Sequence, residues 1–322
     1  MRIVALVPGG VSDQILFFPT LNDLKRTYPA ADIDVVVEPR SKAAYRVSQA
    51  VTDVIPFDFQ DRNSPADWAN LLGVIRDRYY DVAIALNNGW GIGLLLWLSG
   101  TPVRIGYGNG FGGLFLTRTV PLKADQYRAD QYHDVLTGLD ISSPCPPLSI
   151  QLPKGDIDWA DGDRSRLGLD DAGYVVIDGS SIQLPTDSKT ASGYPVEKWQ
   201  TIVQDFQSRQ PGLPIVILHA PEDAERAAAL TQLCPGIKST TVTDIGKHAA
   251  MIAGANLVLC TESVSMHLAV ALNVYTLALF GLTNPKMLLP QDDKFQAIVS
   301  PSGKMEDLAP DAVLKVVWGN AG

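Results

Sequence analysis

The sequence predicts an α/β protein with two domains, each built around a parallel β-sheet. Three observations lead to this fold class. Short apolar runs alternate with longer amphipathic segments along most of the chain, as strands and helices do in parallel-sheet proteins. A Pro-rich segment without periodicity, residues 142–156, interrupts this alternation near the middle. The length of 322 residues suits two domains of about 150 residues each.

In the first half, apolar runs and helical periodicity predict five strands and three helices. The helix over Gln14–Arg26 is the clearest, because its apolar residues recur on one face. Asp67 is the expected cap of the third helix. The predicted strands are Ile3–Val7, Ile33–Val37, Val54–Phe57, Val82–Ala85 and Val103–Tyr107, and the helices are Gln14–Arg26, Ser41–Ala50 and Trp68–Arg78.

The alternation resumes after the Pro-rich segment, and we place the domains at residues 1–145 and 146–322. Parallel sheets bind ligands at the carboxyl ends of their strands, where helix N-termini point. With two such domains, the expected site is a central cleft that both domains face. The predicted strands are Tyr174–Ile177, Ile215–Leu218, Leu257–Cys260 and Thr276–Phe280, and the helices are Val196–Phe206, Glu222–Leu233, Lys247–Ala253 and Ser265–Leu272.

Net charge and cysteine content narrow the functions that the protein can have. The formal net charge of −9 argues against a general nucleic-acid binder, although a local site for one phosphorylated small molecule remains compatible with it. The three cysteines lie far apart and form no CxxC pair, which is typical of reduced thiols in a cytoplasmic protein. The four histidines lack metal-ligand spacing, so we expect no metal.

Apolar segments suggest a protein that does not span a membrane. The apolar run after Met1-Arg2 is too short for a signal peptide, and the longest apolar stretch, residues 91–100, is half of what a membrane-spanning helix needs. We therefore expect a cytoplasmic protein. The Gly-rich segment 106–113 is expected to be a mobile loop. The apolar residues of 111–116 and 94–98 favour local core packing, with peripheral contact at the inner face of a membrane left open.

The segment Thr261–Met266 is the strongest candidate for a ligand site in the second half. It lies where a predicted strand ends and a helix begins, and free backbone N–H groups and the helix dipole favour an anion there. Ser263 and Ser265 are suited to donating hydrogen bonds to phosphate oxygens. Ordinary N-capping explains the two serines equally well.

This segment also resembles a known family. "TESVSMHLAVALNVYTLALFGLTNP", residues 261–285, is similar to the signature of the family 9 glycosyltransferases, the heptosyltransferases of lipopolysaccharide core synthesis. "GGVSDQILFFPTLNDLKRTYPAADIDVVVEP" resembles the N-terminal block of that family, and "YDVAIALNN" and "GTPVRIGYG" resemble two further blocks. "DGSSIQLPTDSKTASGYPVEKW" resembles a degraded form of the block that opens the second half.

The resemblance implies a GT-B architecture and a metal-independent hexosyl or heptosyl transferase without a cofactor. The first domain is expected to bind a glycan or lipid-linked acceptor, and the second a nucleotide-diphosphate sugar, typically ADP-heptose. Asp13 matches the general base of an inverting mechanism, which takes the proton of the attacking hydroxyl. A simple capping role for Asp13 is the alternative. Gly9, Gly10 and Ser12 belong to the acceptor side.

The resemblance also implies a set of donor-binding residues. Gly179, Ser180 and Ser181 follow a predicted strand and are suited to binding the diphosphate, unless they form only a loop of small residues. His267 has two equally supported roles, as a phosphate ligand or as a structural residue. The donor and phosphate-binding set is Gly179, Ser180, Ser181, Lys189, Glu262, Ser263, Val264, Ser265, Met266 and His267.

Several positions depart from the family pattern, mostly in the donor region. Ser12 replaces a glycine, Glu262 an aspartate, and Val264-Ser265 a Gly-Pro pair. A β-branched side chain at Val264 crowds a place where the backbone approaches phosphate. Ser192 stands where the family has lysine, with Lys189 as a substitute, and Gly246 stands where it has a carboxylate. These departures motivate a second hypothesis, a catalytically degenerate scaffold that binds or assembles with a protein partner.

Overall fold

The computed structural model describes residues 1–60, 64–87, 89–108, 111–169, 173–184 and 193–319. The chain divides into two compact units, Met1–Gln151 and Leu152–Gly322. Residues 141–153, which include most of the Pro-rich segment, form neither helix nor strand, because proline lacks the backbone donor that both structures use.

The first unit contains a six-stranded sheet. Its strands are β1 (Arg2–Val7), β2 (Asp32–Val37), β3 (Asp53–Pro56), β4 (Val82–Ala85), β5 (Val103–Tyr107) and β6 (Arg118–Val120). Its helices are α1 (Val11–Thr27), α2 (Pro65–Asp77), α3 (Trp90–Leu98) and α4 (Arg128–His133). Short 3-10 helices span Pro39–Val47, Phe111–Phe115 and Asp134–Leu139.

The second unit contains another six-stranded sheet and a two-stranded one. Its strands are β7 (Val175–Asp178), β8 (Ile182–Gln183), β9 (Tyr194–Pro195), β10 (Ile215–His219), β11 (Lys238–Thr241), β12 (Leu257–Thr261), β13 (Tyr275–Phe280) and β14 (Phe295–Val299). Its helices are α5 (Lys154–Leu167), α6 (Val196–Arg209), α7 (Ala224–Leu233), α8 (Ile245–Ala253), α9 (Val264–Ala271) and α10 (Pro310–Trp318). Short 3-10 helices span Gly179–Ser181, Pro221–Asp223, Pro285–Met287 and Met305–Asp307.

The two large sheets share one strand order. The first is β3-β2-β1-β4-β5-β6 and the second β11-β10-β7-β12-β13-β14, and their neighbouring strands pair in parallel. In each unit the order reverses beside its first strand, between β1 and β4 or between β7 and β12. Ligands of such sheets bind at this switch point, at the carboxyl ends of the strands.

The central strands are buried on both faces, which explains why the sequence predicted them well. Ile3 to Val7 are each 0% exposed, and β12 is nearly as buried. Helices on both sides of a parallel sheet produce such continuous apolar runs. Trp199 of α6, the largest fully buried side chain, packs in the core of the second unit.

The structure corrects several details of the predicted elements. The helix expected at Ser41–Ala50 is the 3-10 helix Pro39–Val47. Ser64, rather than Asp67, is the N-cap of α2. Asp67 is the third helical residue, and its carboxylate accepts a hydrogen bond from the backbone of Ser64 at 2.8 Å. This reciprocal arrangement is a capping box. The segment 106–113, expected to be a loop, includes the end of β5 and the start of a 3-10 helix.

The elements that the sequence analysis missed have weak patterns. The edge strands β6 and β11 are short and partly exposed, so they lack an apolar run. The helix α3 is apolar around most of its circumference, with no polar side chain in Trp90–Leu98, so it lacks the one-sided pattern of an amphipathic helix. The other missed strands and α-helices are α4, α5, β8, β9, β14 and α10.

Candidate functional site

In the first unit, two glycines connect β1 to α1 at the switch point. Gly9 has a φ of +110°, in a region that favours glycine. A Cβ atom there would lie 2.4 Å from Oδ2 of Asp13, so a side chain at Gly9 would displace that carboxylate. Gly10 is the N-cap of α1, with the half-buried Ser12 and Asp13 in its first turn.

Both oxygens of the Asp13 carboxylate accept hydrogen bonds. Oδ2 accepts the backbone N–H of Gly10 at 2.9 Å, and Oδ1 accepts the hydroxyl of Tyr132 at 2.8 Å. A negative charge is also favoured in the first turn of a helix. The structure therefore shows a capping contact for Asp13, made from inside the helix, and the same contact aims the carboxylate.

A cavity of about 540 Å³ is lined by Gly9 and Gly10, the turn to which the Asp13 carboxylate is hydrogen-bonded. Ser41 forms part of its wall and donates a hydrogen bond from Oγ to the carbonyl of Gly9 at 2.8 Å. Burial raises the pKa of Glu38, although its carboxylate accepts the backbone N–H of Phe59. Cationic, anionic and amide groups together suit a hydroxyl-rich ligand. The lining residues are Gly9, Gly10, Glu38, Pro39, Arg40, Ser41, Asp58 and Gln60.

The site predicted from the sequence did not include Tyr132, Glu38 or Arg40. Glu38 and Arg40 had a detectable signal, because polar residues directly follow the buried strand β2, and the carboxyl ends of neighbouring parallel strands lie at the same sheet edge. Tyr132 had no local signal. It lies 119 residues from Asp13 in the chain, and only folding brings the two together.

In the second unit, the turn after β7 is compact and its hydrogen bonds are internal. A Cβ atom on Gly179 would lie 2.6 Å from Cβ of His219, so only glycine fits there. The buried carboxylate of Asp178 accepts the backbone N–H of Ser180 at 3.1 Å and its hydroxyl at 2.9 Å. Both groups of Ser180 that would bind a diphosphate therefore already bind a carboxylate.

Ser181 joins the two segments that the sequence analysis placed at the donor site. Its Oγ accepts the backbone N–H of Thr261 at 2.7 Å and lies 3.2 Å from Oγ1 of Thr261. Its carbonyl accepts the indole N–H of Trp199 at 3.1 Å. The fully buried Ser181 thus connects the ends of β7 and β12, and brings 179–181 next to 261–267.

The first turn of α9 contains both accessible and buried candidates. Glu262 is exposed, Ser263 is the N-cap without a side-chain capping bond, and Val264 begins the helix half-buried. Oγ of the buried Ser265 lies 2.8 Å from Nε2 of His248. Burial lowers the pKa of His248, opposed by the charges of two carboxylates, Asp178 and Asp223. His248 was also missed, because its partner lies on another helix.

Met266 and His267 are buried, with 0% and 1% exposure. Burial lowers the pKa of His267 to about 4, so the imidazole is neutral near pH 7. Its Nδ1 has no hydrogen-bond partner among the described residues. In this structure the family-like Met-His pair forms part of the packing beneath the helix N-terminus.

Three donor-side positions remain, and the structure describes one of them. Lys189 and Ser192 lie outside the described residues. Gly246 is the second residue of α8, and a carboxylate does open this helix, two residues earlier. Asp244 accepts the backbone N–H groups of Gly246 and Lys247 at 3.0 and 3.1 Å. An aspartate directly before an apolar helical pattern is a capping signal that could have identified it.

In the part of the chain that the structure describes, no group of three or more His, Cys, Asp or Glu side chains could hold a metal ion. Among the same residues, no helix combines the length and apolar character that crossing a membrane requires.

Comparison with known proteins identifies one matching family and several relatives. Residues 68–316 match the family model described as glycosyltransferase family 9 (heptosyltransferase). Lipopolysaccharide heptosyltransferase 3 of Escherichia coli is 25% identical over 297 residues, covering 84% of this chain and 81% of that protein. The chloroplastic photosynthetic NDH subunit of subcomplex B 1 of Arabidopsis thaliana is 22% identical over 332 residues, covering 95% of this chain and 71% of that protein.

Solved structures show the same fold. A family 9 glycosyl transferase from Veillonella parvula superposes with a TM-score of 0.81 at 20% identity, covering 98% of this chain and 96% of that one. E. coli heptosyltransferase WaaC with ADP-2-deoxy-2-fluoro heptose superposes with a TM-score of 0.75 at 20% identity, covering both chains completely. Together with the two parallel sheets, these likenesses confirm the predicted GT-B fold.

Proposed function

The chain belongs to glycosyltransferase family 9 and is a heptosyltransferase-like glycosyltransferase, and we propose that it transfers a sugar with inversion from a nucleotide diphosphate to an acceptor hydroxyl. The resemblance expected from the sequence is thereby confirmed. In this proposal the first domain binds a glycan or lipid-linked acceptor, such as a lipopolysaccharide precursor, and the second binds the donor. Its cytoplasmic location and any contact with a membrane remain predictions.

The oriented carboxylate of Asp13 is the observation that carries this proposal. It lies at the switch point of the first sheet and is hydrogen-bonded to Gly10, which lines a polar cavity. Asp13 takes the proton of the acceptor hydroxyl while that oxygen bonds to the anomeric carbon of the donor. The bond between this carbon and the diphosphate oxygen breaks on the opposite face, so the configuration inverts. The nucleoside diphosphate leaves with the bonding electrons.

The donor side offers the free backbone N–H groups that begin α9. These groups and the helix dipole favour the charge that develops on the departing diphosphate. Because one structural neighbour was solved with an ADP-heptose analogue, ADP-heptose is the first donor to test. Glu262 and Val264 are accessible members of the predicted donor set in this turn, whereas Oγ of Ser263 is buried.

Calorimetry followed by a transfer assay tests the proposed function. Titration with ADP, GDP and UDP should show binding of one nucleotide. Release of that nucleotide from its sugar conjugate should then require an acceptor, for which truncated lipopolysaccharide is the first choice. The Asp13→Asn variant should still bind the nucleotide but release far less of it. Equal release by the variant would eliminate Asp13 as the base.

A second candidate function is assembly into a protein complex without sugar transfer. The buried Asp178 favours it, because this carboxylate uses donors of Ser180 that a diphosphate would need and would repel the diphosphate charge. The similarity to a protein named as an NDH subunit supports the same idea. Absence of binding to all three nucleotides, together with isolation of the chain in a stable complex, would favour assembly over transfer.

A further inference from the structure

The hydrogen bond between Tyr132 and Asp13 joins two distant parts of the first unit. Tyr132 lies on α4 and Asp13 in the first turn of α1, and the phenol oxygen is 2.8 Å from Oδ1. Tyr132 is only 6% exposed. Its ring packs edge-on against Phe17 of α1, with centroids 6.3 Å apart, so the hydroxyl has little freedom to move away from the carboxylate.

His133, the residue after Tyr132, makes a second contact between α4 and α1. Nε2 of His133 lies 2.8 Å from Oδ2 of Asp23, and both side chains are buried. Asp13 and Asp23 are ten residues apart on α1, about 15 Å along a helix, so the side chains of Tyr132 and His133 extend in opposite directions along α1. This two-point attachment holds the phenol at a defined position.

The environment of Tyr132 keeps it a hydrogen-bond donor. Burial raises the pKa of the phenol, and the nearby charge of Asp13 raises it further. The guanidinium of Arg128 lies 5.9 Å from the ring centroid and opposes this effect only in part. A protonated phenol has one hydrogen to donate, and the structure directs it to Oδ1 of Asp13.

We propose that Tyr132 is a positioning residue of the transfer reaction, which holds the carboxylate of Asp13 in one orientation at the Gly9–Gly10 turn that lines the polar cavity. An ionised carboxylate accepts about four hydrogen bonds. Gly10 and Tyr132 occupy one position on each oxygen, which leaves the others for the acceptor hydroxyl. This inference rests on the proposed role of Asp13 as the base.

Tyr132→Phe and Tyr127→Phe form a matched pair of variants. Both remove one buried phenol hydroxyl from the same region of the chain. The hydroxyl of Tyr127 has no hydrogen-bond partner among the described residues, whereas that of Tyr132 binds Asp13. Both variants and the native protein are assayed as full chains, for turnover, the KM for the acceptor, nucleotide affinity and melting temperature.

The expected result is a specific loss of turnover in Tyr132→Phe. Its kcat should fall on the order of tenfold, a part of the 10²- to 10⁴-fold that a general base supplies, with nucleotide affinity unchanged. The acidic limb of its pH–rate profile should move to higher pH, because an ionised carboxylate loses a donor. Tyr127→Phe should match the native protein in turnover and in pH profile.

Combination with Asp13→Asn tests whether Tyr132 acts through the base. The double variant should be no slower than Asp13→Asn alone, since residues that act as a unit are not additive. Additive losses, or native turnover and pH profile in Tyr132→Phe while Asp13→Asn is inactive, would overturn the positioning role and leave the proposed base intact. Native activity in Asp13→Asn, or no transfer by the native chain, would overturn both.

Discussion

The two large sheets have the same strand order, yet the sites at their switch points differ in how they use polar groups. Beside β1, the turn lines a polar cavity and orients a carboxylate. Beside β7, the corresponding turn directs its polar groups inward, with Ser180 bound to Asp178 and Ser181 to Thr261. Buried apolar strands maintain the topology in both units, whereas the residues at the strand ends are free to diverge.

This comparison indicates that the family's acceptor-side features are better retained than its donor-side features. The first unit retains the family's aspartate, Asp13, beside Gly9 with its positive φ, although Ser12 replaces the glycine that directly precedes the aspartate in the family. In the second unit, Met266 and His267 are retained but buried, while Val264 replaces a glycine of the family signature at the accessible start of α9. The following predictions test this contrast, in order of decreasing effect.

Asp13→Asn should have the largest effect. Loss of the base should lower turnover by roughly 100-fold or more, while nucleotide affinity and folding stay nearly unchanged. Initial rates at saturating substrates and calorimetric titration of the nucleotide measure the two quantities. If affinity fell as much as turnover, the proposed separation between the two sites would be wrong.

Acidic pH should destabilise the second unit through His267. Its pKa is lowered to about 4 in the fold, against about 6.5 when unfolded. Above pH 6.5 the histidine is neutral in both the folded and the unfolded state, so its burial costs no stability through protonation. As the pH falls from 6.5 to 4, the unfolded chain binds a proton that the fold excludes.

Through His267, the free energy of unfolding is expected to fall by about 2 kcal/mol between pH 7 and pH 5. Urea unfolding at the two pH values measures it, and His267→Gln serves as the comparison because it cannot bind this proton. The native protein should therefore lose about 2 kcal/mol more than the variant. Equal losses would mean that His267 is accessible to protons in the fold, and a role as a ligand would regain support.

Asp178→Asn should tighten binding of the nucleotide diphosphate. The change removes a buried negative charge and keeps an oxygen that can accept from Ser180. We expect about a tenfold gain in affinity, equivalent to about 1.4 kcal/mol, measured by calorimetry with ADP. Glu225→Gln removes the same charge from an exposed position of α7 and should change affinity little. Weaker binding in Asp178→Asn would show that this carboxylate contributes to binding of the nucleotide.

Val264→Gly should have the smallest effect. Removing the β-branched side chain at the start of α9 should tighten nucleotide binding a few-fold and cost up to about 1 kcal/mol of stability. Melting temperatures with and without millimolar ADP measure both effects. A ligand-induced shift that disappears in the glycine variant would show that Val264 contacts the ligand favourably. No shift in either form would support the assembly function.

The sequence by itself determined the central architecture, because buried parallel strands require nearly continuous apolar runs. Leu257–Thr261 and Arg2–Val7 were predicted to within a residue at each end. It also determined the family, since the spacing within 261–285 carries that information locally. The edge strands β6 and β11 and the helix α3 were not predictable in this way, since a strand or helix without a one-sided apolar pattern acquires its structure from its neighbours.

Only the tertiary structure decided which polar groups face a ligand and which face each other. Asp13 and Tyr132 are 119 residues apart in the chain, and Ser181 and Thr261 are 80 apart. A hydrogen bond needs its two atoms within about 3 Å and well aligned, a condition that spacing along a chain cannot encode. The sequence therefore names the residues of a site, and the packing of α4 on α1, and of β7 beside β12, determines what each residue does.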